Sequence, residues 1–117
     1  MCHFNMYNKA VLIGRLVKDP ESRVTSSGIS LARFTIAIDR IGGNVENKVT
    51  DFINIVAWRR LAEIATQFLK KGKLIAVEGA LRIDQYEKDG QNREWVEVVA
   101  DNFQMLDRST DGPVDDN

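Results

Sequence analysis

The sequence has little of the chemistry that most enzymes and metalloproteins use. Of its 117 residues one is a cysteine and one a histidine, and these stand side by side near the N-terminus as Cys2 and His3. A zinc site needs three or four ligands brought together, which Cys and His cannot supply here. A nucleophile paired with a base would have to rest on the same two terminal residues. We therefore predict no catalytic residue, no metal site and no cofactor, and we expect that the protein is not an enzyme.

Long apolar runs are also absent. No stretch approaches the roughly 20 apolar residues of a membrane helix, and the first residues lack the basic start and apolar run of a secretory signal. A single cysteine cannot form an internal disulfide, which fits a reducing compartment. We expect a cytoplasmic protein with no membrane partner. Its length and composition suit one globular domain with one core.

Charge is nearly balanced but unevenly distributed. The net charge is −1 and the isoelectric point is about 5.8, which is weak evidence against nucleic-acid binding. Residues 107–117 hold four aspartates against one arginine, whereas residues 52–82 hold six basic and two acidic side chains. A basic patch on a near-neutral body can hold a phosphate backbone, although most charged stretches are solvated faces. We expect residues 1–106 to form the domain and residues 107–117 a short acidic, disordered tail.

Five segments have the alternation of β-strands and one has the period of a helix. The predicted strands cover 9–17, 29–40, 49–58, 73–87 and 93–106. The predicted helix covers 60–71 and ends at Gly72, with apolar residues at helical spacing: Leu61, Ile64, Ala65 and Phe68. This order predicts an all-β fold, a partly open five-stranded barrel with one helix between strands three and four. A β-sandwich is the competing architecture, but sandwiches usually have about seven strands.

The third predicted strand carries two large aromatic residues on its more polar face. Side chains alternate between the two faces of a strand. Ile53, Ile55 and Ala57 therefore share one face, which we assign to the core. Phe52 and Trp58 share the opposite face, about 20 Å apart at roughly 3.3 Å per residue.

The same alternation sorts the other aromatic residues. Tyr86 falls on the outer face of the fourth strand, whereas Phe34 and the helical Phe68 are assigned to the core. Trp95 shares a face with Glu97 and fits either position. The fourth strand directs Ile75, Val77, Leu81 and Ile83 inward. Basic residues lie among or beside the outward rings: Arg33, Arg59, Arg60 and Arg82.

Exposed rings interleaved with basic side chains are typical of proteins that bind single-stranded nucleic acid. A base stacked on an aromatic ring contributes about 1–3 kcal/mol whatever the base, and the basic groups hold phosphate. One such ring alone would more often pack against the helix or a partner subunit. Three rings on one polar face beside arginines favour binding.

Short motifs in the sequence resemble those of bacterial single-stranded DNA-binding proteins. They run in order from about Tyr7 to Leu106 and cover 8–16, 19–23, 34–37, 50–52, 58–63, 69–72, 77–79 and 97–100. The resemblance implies an OB fold, a homotetramer, and single-stranded DNA wrapped over stacked aromatic residues. The family's stacking positions fall on Phe52, Trp58 and Tyr86, and those of its phosphate-contacting lysines on Arg60 and Lys71. The full predicted DNA-binding set is Phe52, Trp58, Tyr86, Arg33, Arg59, Arg60, Lys71, Lys73 and Arg82.

The sequence departs from the family pattern at two places. A further family aromatic lies just after strand two, where this chain has Ile41 or Gly42, so we expect lower affinity per site. Long members of the family end in an acidic tip with a terminal Phe, which docks replication and repair proteins. This sequence ends at Asn117 without that tip, as expected for a short paralogue, a phage form or a truncated product, and this puts such partners in question.

We predict a protein that binds single-stranded DNA without sequence specificity, protecting it during replication, recombination or repair in the cytoplasm, in association with the nucleoid. Two rival functions fit the same pattern. One is an OB-fold primosomal accessory protein, which binds single-stranded DNA but works chiefly as a dimeric adaptor. The other is an interaction protein that uses the aromatic face as a subunit interface.

Overall fold

The fold is known from a computed structural model, which describes residues 6–40 and 49–107. The elements are β1 (Ala10–Leu16), β2 (Glu21–Val24), β3 (Ser30–Asp39), β4 (Thr50–Trp58), α1 (Arg59–Phe68), β5 (Leu74–Lys88) and β6 (Gln91–Met105). The five predicted strands are confirmed to within two residues at each end. The helix is also confirmed, although it ends three residues earlier than expected. No helix in the described ranges is long and apolar enough to cross a bilayer.

Five of the strands close into a ring. Their order is β1-β5-β6-β4-β3, and the ring closes because β1 also pairs with β3, through Arg15↔Ala37 and Leu16↔Ile36. Every pairing in the ring is antiparallel except β4 with β6, which is parallel. Along the chain α1 lies between β4 and β5, which are the third and fourth of these five strands in sequence order, and this arrangement confirms the predicted OB-type barrel.

β2 is a sixth strand that the sequence reasoning did not anticipate. It pairs antiparallel with β3 from Glu21↔Arg33 to Val24↔Ser30, outside the ring. All four of its side chains are exposed. A short strand without a buried face has no apolar alternation, which is the signal that reveals strands in a sequence.

The core fills the ring from the inner faces of its strands. Its largest fully buried side chains include Ile36, Ile55, Ile75, Val77 and Val98, and Phe34 is buried beside them as predicted. The helix contributes Ala62 and Ala65.

Phe68 was predicted to lie in the core, and this was wrong: its exposure is 47%. Leu69, the residue after the helix, is buried instead. The Leu69 N–H still donates to the Ala65 carbonyl oxygen at 2.9 Å, but its backbone is already extended. The chain therefore leaves the helical path one residue after Phe68, and Leu69 takes the inward position.

The β5–β6 hairpin extends beyond the barrel. Both strands have 15 residues, and they pair as far as Lys88↔Gln91 around a two-residue turn. The turn residues Asp89 and Gly90 both have positive φ, at 54° and 78°, as a type I′ turn requires. Leu81 and Ile83, which alternation assigned to the core side, are about half-exposed. That assignment was wrong because the outer half of the hairpin has no second layer beneath it.

A β-bulge sits where the hairpin leaves the barrel. The register changes from Glu78↔Asn102 to Gly79↔Ala100, so β6 has one extra residue there. The two backbones approach so closely that a Cβ on Gly79 would lie 2.1 Å from the Val99 carbonyl oxygen. Glycine is therefore the residue that this crossing can accommodate.

Candidate nucleic-acid interface

The strand register gathers the outward side chains of β3, β4, β5 and β6 onto one continuous surface. Residues directly opposite one another on neighbouring strands point to the same side, and Thr35↔Asn54, Asn54↔Glu97 and Arg82↔Glu97 are such pairs. We call this surface the aromatic face. It consists of Arg33, Thr35, Phe52, Asn54, Trp58, Arg82, Tyr86, Trp95 and Glu97.

The three predicted stacking rings lie at separate places on the aromatic face. Phe52, near the start of β4, is 64% exposed, and Trp58, at its end, is partly buried. Tyr86 is exposed towards the tip of the β5–β6 hairpin. An extended DNA strand that crossed this face would therefore meet three separate rings and not one aromatic cluster.

The face is not uniformly exposed. Val56 points the same way as Phe52 and Trp58, yet it is buried. It lies between Arg33 on β3 and Val99 on β6 in the register. Val56 therefore presents almost no surface to a ligand between Phe52 and Trp58.

Hydrogen-bonded polar groups form the centre of the face. The Thr35 hydroxyl donates to Asn54 Oδ1 at 3.1 Å. Trp95 Nε1 donates to Glu97 Oε1 at 3.0 Å, and Arg82 Nε lies 3.8 Å from Glu97 Oε2. Glu97 is only 2% exposed, and no other charged side chain in the described ranges is buried. A buried carboxylate requires such partners, because an unpaired buried charge costs several kcal/mol.

The predicted arginines lie on the face or beside its edge. Arg33 is exposed on β3, and Arg59 and Arg60 are exposed where α1 begins. Arg82 is also exposed, but its Nε donates to Asp84 Oδ2 at 3.1 Å. Arg59 has φ of 58°, which is uncommon for a residue with a side chain. The chain thus turns sharply between β4 and α1, and Trp58, Arg59 and Arg60 follow one another at this turn.

The two predicted lysines do not lie on the strands that form the aromatic face. Lys71 and Lys73 lie in the connection from α1 to β5, where the Lys71 N–H donates to Asp19 Oδ1 at 2.8 Å. The Lys73 carbonyl oxygen accepts from the Leu16 N–H at 3.0 Å. These contacts tie the connection to the end of β1. The structure therefore does not bring Lys71 and Lys73 onto the aromatic face through the sheet register.

An ion pair stands beside Phe52. Arg40 Nε and Nη2 donate to the two carboxylate oxygens of Asp51 at 3.0 and 3.1 Å. The hydrogen bond from Arg40 holds the pKa of Asp51 below its ordinary value, and the same bond raises the pKa of Arg40. This arginine is therefore already paired. Ile41 and Gly42, one of which falls where the resemblance predicts a further aromatic residue, lie outside the described residues.

Trp95 and Glu97 are members of the face that sequence reasoning did not place. The i, i+2 spacing showed that they share a face. Which face this is depends on the pairing of β6 with β4, a parallel pairing that no turn in the sequence reveals. Within 6–40 and 49–107, no group of three or more His, Cys, Asp or Glu residues is placed to hold a metal ion.

Comparison with known proteins identifies the family. The model of the Single-strand binding protein family matches residues 7–106. The chain belongs to this family. It is 46% identical over 103 residues to the "Single-stranded DNA-binding protein 2" of Streptococcus agalactiae, covering 87% of this chain and 79% of that protein.

Two further relatives show similar agreement. The "Single-stranded DNA-binding protein" of Caldanaerobacter subterraneus is 46% identical over 104 residues, covering 87% of this chain and 69% of the relative. "Single-stranded DNA-binding protein 1" of Staphylococcus aureus is 43% identical over 109 residues, covering 91% of this chain and 70% of the relative. The predicted family resemblance is thus confirmed. These relatives are named as DNA-binding proteins and not as enzymes, which agrees with the prediction of no catalytic activity.

Proposed function

We propose that this protein binds single-stranded DNA without sequence preference, through the aromatic face. The observation that carries this proposal is the common orientation of Phe52, Trp58 and Tyr86, three separated rings on one continuous sheet surface. The family and the names of the relatives support the same ligand.

The binding mechanism follows from the chemistry of the face. Every base has a π-face, so rings such as Phe52 stack on any base in the strand. Arg33, Arg59 and Arg60 supply positive charge on the face and beside Trp58, where the phosphates of a stacked strand would pass. Bases in a duplex are already stacked on one another, so they cannot reach these rings. The arrangement therefore selects single strands over duplexes.

Salt dependence and strand selectivity test this proposal together. We expect anisotropy of labelled oligo-dT to give an affinity that falls with salt, with a log–log slope of roughly 0.7 for each phosphate contact. Unlabelled duplex of the same length should compete poorly. Equal affinity for duplex and single strand would show that only the phosphate backbone is bound, and the proposed stacking mechanism would be wrong.

We further propose a homotetramer as the assembled state. β1 exposes Val11 and Ile13 on its outer face, opposite the core side that holds Leu12 and Leu16. The β5–β6 hairpin adds exposed apolar surface at Leu81, Ile83 and Val96. Closed symmetric assembly would bury both surfaces. The proposed domain is residues 1–106, followed by an acidic tail at 107–117. Asp107, the first residue of that tail, still contacts the barrel, since its Oδ2 accepts from the Leu74 N–H at 2.9 Å.

Light scattering measures the proposed assembly directly. We expect a mass close to four chains at micromolar concentration, with or without oligo-dT. A dimer that binds oligo-dT would instead favour the adaptor function. A monomer would contradict the assignment of Val11 and Ile13 to an interface. The third possibility is that the aromatic face is a subunit interface. It would be favoured if the parent protein did not bind oligo-dT and the Phe52→Ala variant failed to assemble.

The proposed cellular role is to cover and protect single strands exposed during replication, recombination or repair. Binding that does not depend on sequence favours such a role, because the DNA strands exposed in these processes have no fixed sequence. A protein with this ligand would be found in the cytoplasm together with the nucleoid.

A further inference from the structure

Trp95 is a fourth ring on the aromatic face. It lies directly opposite Asp84 on β5, and Arg82 and Tyr86 flank Asp84 on the same side of that strand. Its exposure is 41%, although it is one of the largest apolar side chains in the protein. A tryptophan that served only the core would be expected to bury far more of its ring.

The ring is held in one orientation before any ligand arrives. Its Nε1 donates to Glu97 Oε1 at 3.0 Å, and Glu97 is itself fixed by burial and by the nearby Arg82. The indole N–H is thereby satisfied, and the ring has less freedom to lose on binding. A ligand that stacks on a ring already in place loses less entropy than one that must order it.

A cavity of about 240 Å³ opens beside this ring. Trp95, Glu97 and Asn54 line it from β6 and β4, and Arg33, Lys18 and Glu21 line it from the β3 side. Its volume is below the roughly 300–1,000 Å³ of pockets for drug-sized ligands. A single planar group with a charged neighbour suits it better.

The charges around the cavity match such a ligand. Arg33 is exposed and carries a planar guanidinium that can stack on a base or contact phosphate. Lys18 Nζ is 3.9 Å from Glu21 Oε2, with both side chains more than half exposed. An exposed ion pair of this kind is weak, so a phosphate can compete for Lys18.

We infer that Trp95 and this cavity form a fourth base-binding position, in which one nucleobase stacks on the indole while Arg33 and Lys18 hold the adjoining backbone. The inference rests on the proposed binding of single-stranded DNA. It goes further in assigning Trp95, Glu97 and Lys18 to the path of the strand, between Tyr86 on the hairpin and the β4 rings. Glu97 is a positioning residue in this arrangement, since it acts through the orientation of Trp95.

The two tryptophans of the chain allow a direct test. In a Trp58→Phe variant Trp95 is the sole tryptophan and a ring is kept at position 58. We expect its fluorescence to be quenched when labelled oligo-dT saturates the protein, as judged by anisotropy. An abasic strand of the same length, at saturation, should leave the fluorescence unchanged. Binding of oligo-dT without quenching would overturn the inference, whereas an absence of oligo-dT binding by the parent protein would overturn the proposed function itself.

Substitutions at Trp95 provide the matched measurement. Trp95→Leu keeps apolar volume but removes the ring, and we expect roughly 5- to 150-fold weaker binding to oligo-dT. Trp95→Phe keeps a ring without the N–H, so it should retain most of the affinity. Unchanged affinity in Trp95→Leu, with its melting temperature confirming a folded protein, would overturn the inference. Equal losses in Leu and Phe variants would also overturn it, because they would point to the Glu97 hydrogen bond alone.

Discussion

Removing Phe52 and Trp58 together, as Phe52→Ala and Trp58→Ala, is expected to lower the affinity for oligo-dT by about 2–6 kcal/mol. Each stacked base contributes about 1–3 kcal/mol, which for two rings corresponds to roughly 30- to 20,000-fold. The two residues stand about 20 Å apart along β4 and their effects should add, as is usual for separate sites. Anisotropy titration of labelled oligo-dT with each single variant and the double variant measures this sum.

Phe68→Ala is the matched control for the double variant. Phe68 is 47% exposed, but it lies at the end of α1 and not on the aromatic face. Loss of the Phe68 ring should leave oligo-dT affinity unchanged.

The stability of the two binding variants should differ. Removing exposed Phe52 should cost little stability, whereas removing partly buried Trp58 should cost more. A folded double variant that binds like the parent would show that these rings do not stack on bases.

Gly79→Ala is expected to destabilise the protein more than the addition of one methyl group usually does. The new Cβ would lie 2.1 Å from the Val99 carbonyl oxygen and 2.9 Å from the Ala100 Cα. Both are backbone atoms of the paired strand, so β5 and β6 would have to separate at the bulge. Overpacking usually costs about 1–3 kcal/mol, and forced movement of two backbones should reach or exceed the upper end. Denaturant unfolding measures the loss against a typical total of about 5–15 kcal/mol.

Gly28→Ala separates this steric effect from the conformational freedom of glycine. Gly28 has φ of +85° but has open space around its Cβ position. Alanine there should cost only about 1–2 kcal/mol, through the left-handed backbone. If Gly79→Ala cost no more than Gly28→Ala, the close crossing of β5 and β6 would be contradicted.

Alternation predicted the faces of β4 well because β4 is a central strand of the ring. With neighbours on both sides and a core beneath, Ile55 and Ala57 are buried while Phe52 is exposed. The same rule failed at Leu81 and Ile83, which have the apolar alternation of a core strand but lie in a hairpin beyond the barrel. The pattern reports which residues share a side; it does not report whether anything covers that side.

The remaining differences arise from contacts between distant segments. Trp95 could not be placed because its strand, β6, pairs in parallel with β4, which lies far earlier in the chain. Phe68 was assigned to the core from helical spacing, but the buried stripe of α1 runs through Ala62 and Ala65 to Leu69, so Phe68 lies beside this stripe and is exposed. Both outcomes depend on which distant segment covers a strand or a helix face, and local pattern does not specify that.

We expect bases, and not only phosphates, to hold the DNA strand on the aromatic face. The most direct measurement compares oligo-dT with an abasic strand of the same length and charge, at one salt concentration. With stacking on Phe52, Trp58 and Tyr86 each contributing at least about 1 kcal/mol, the abasic strand should bind at least roughly 100-fold more weakly. Equal affinity for the two strands would contradict the claim and leave the arginines as the whole of the binding site.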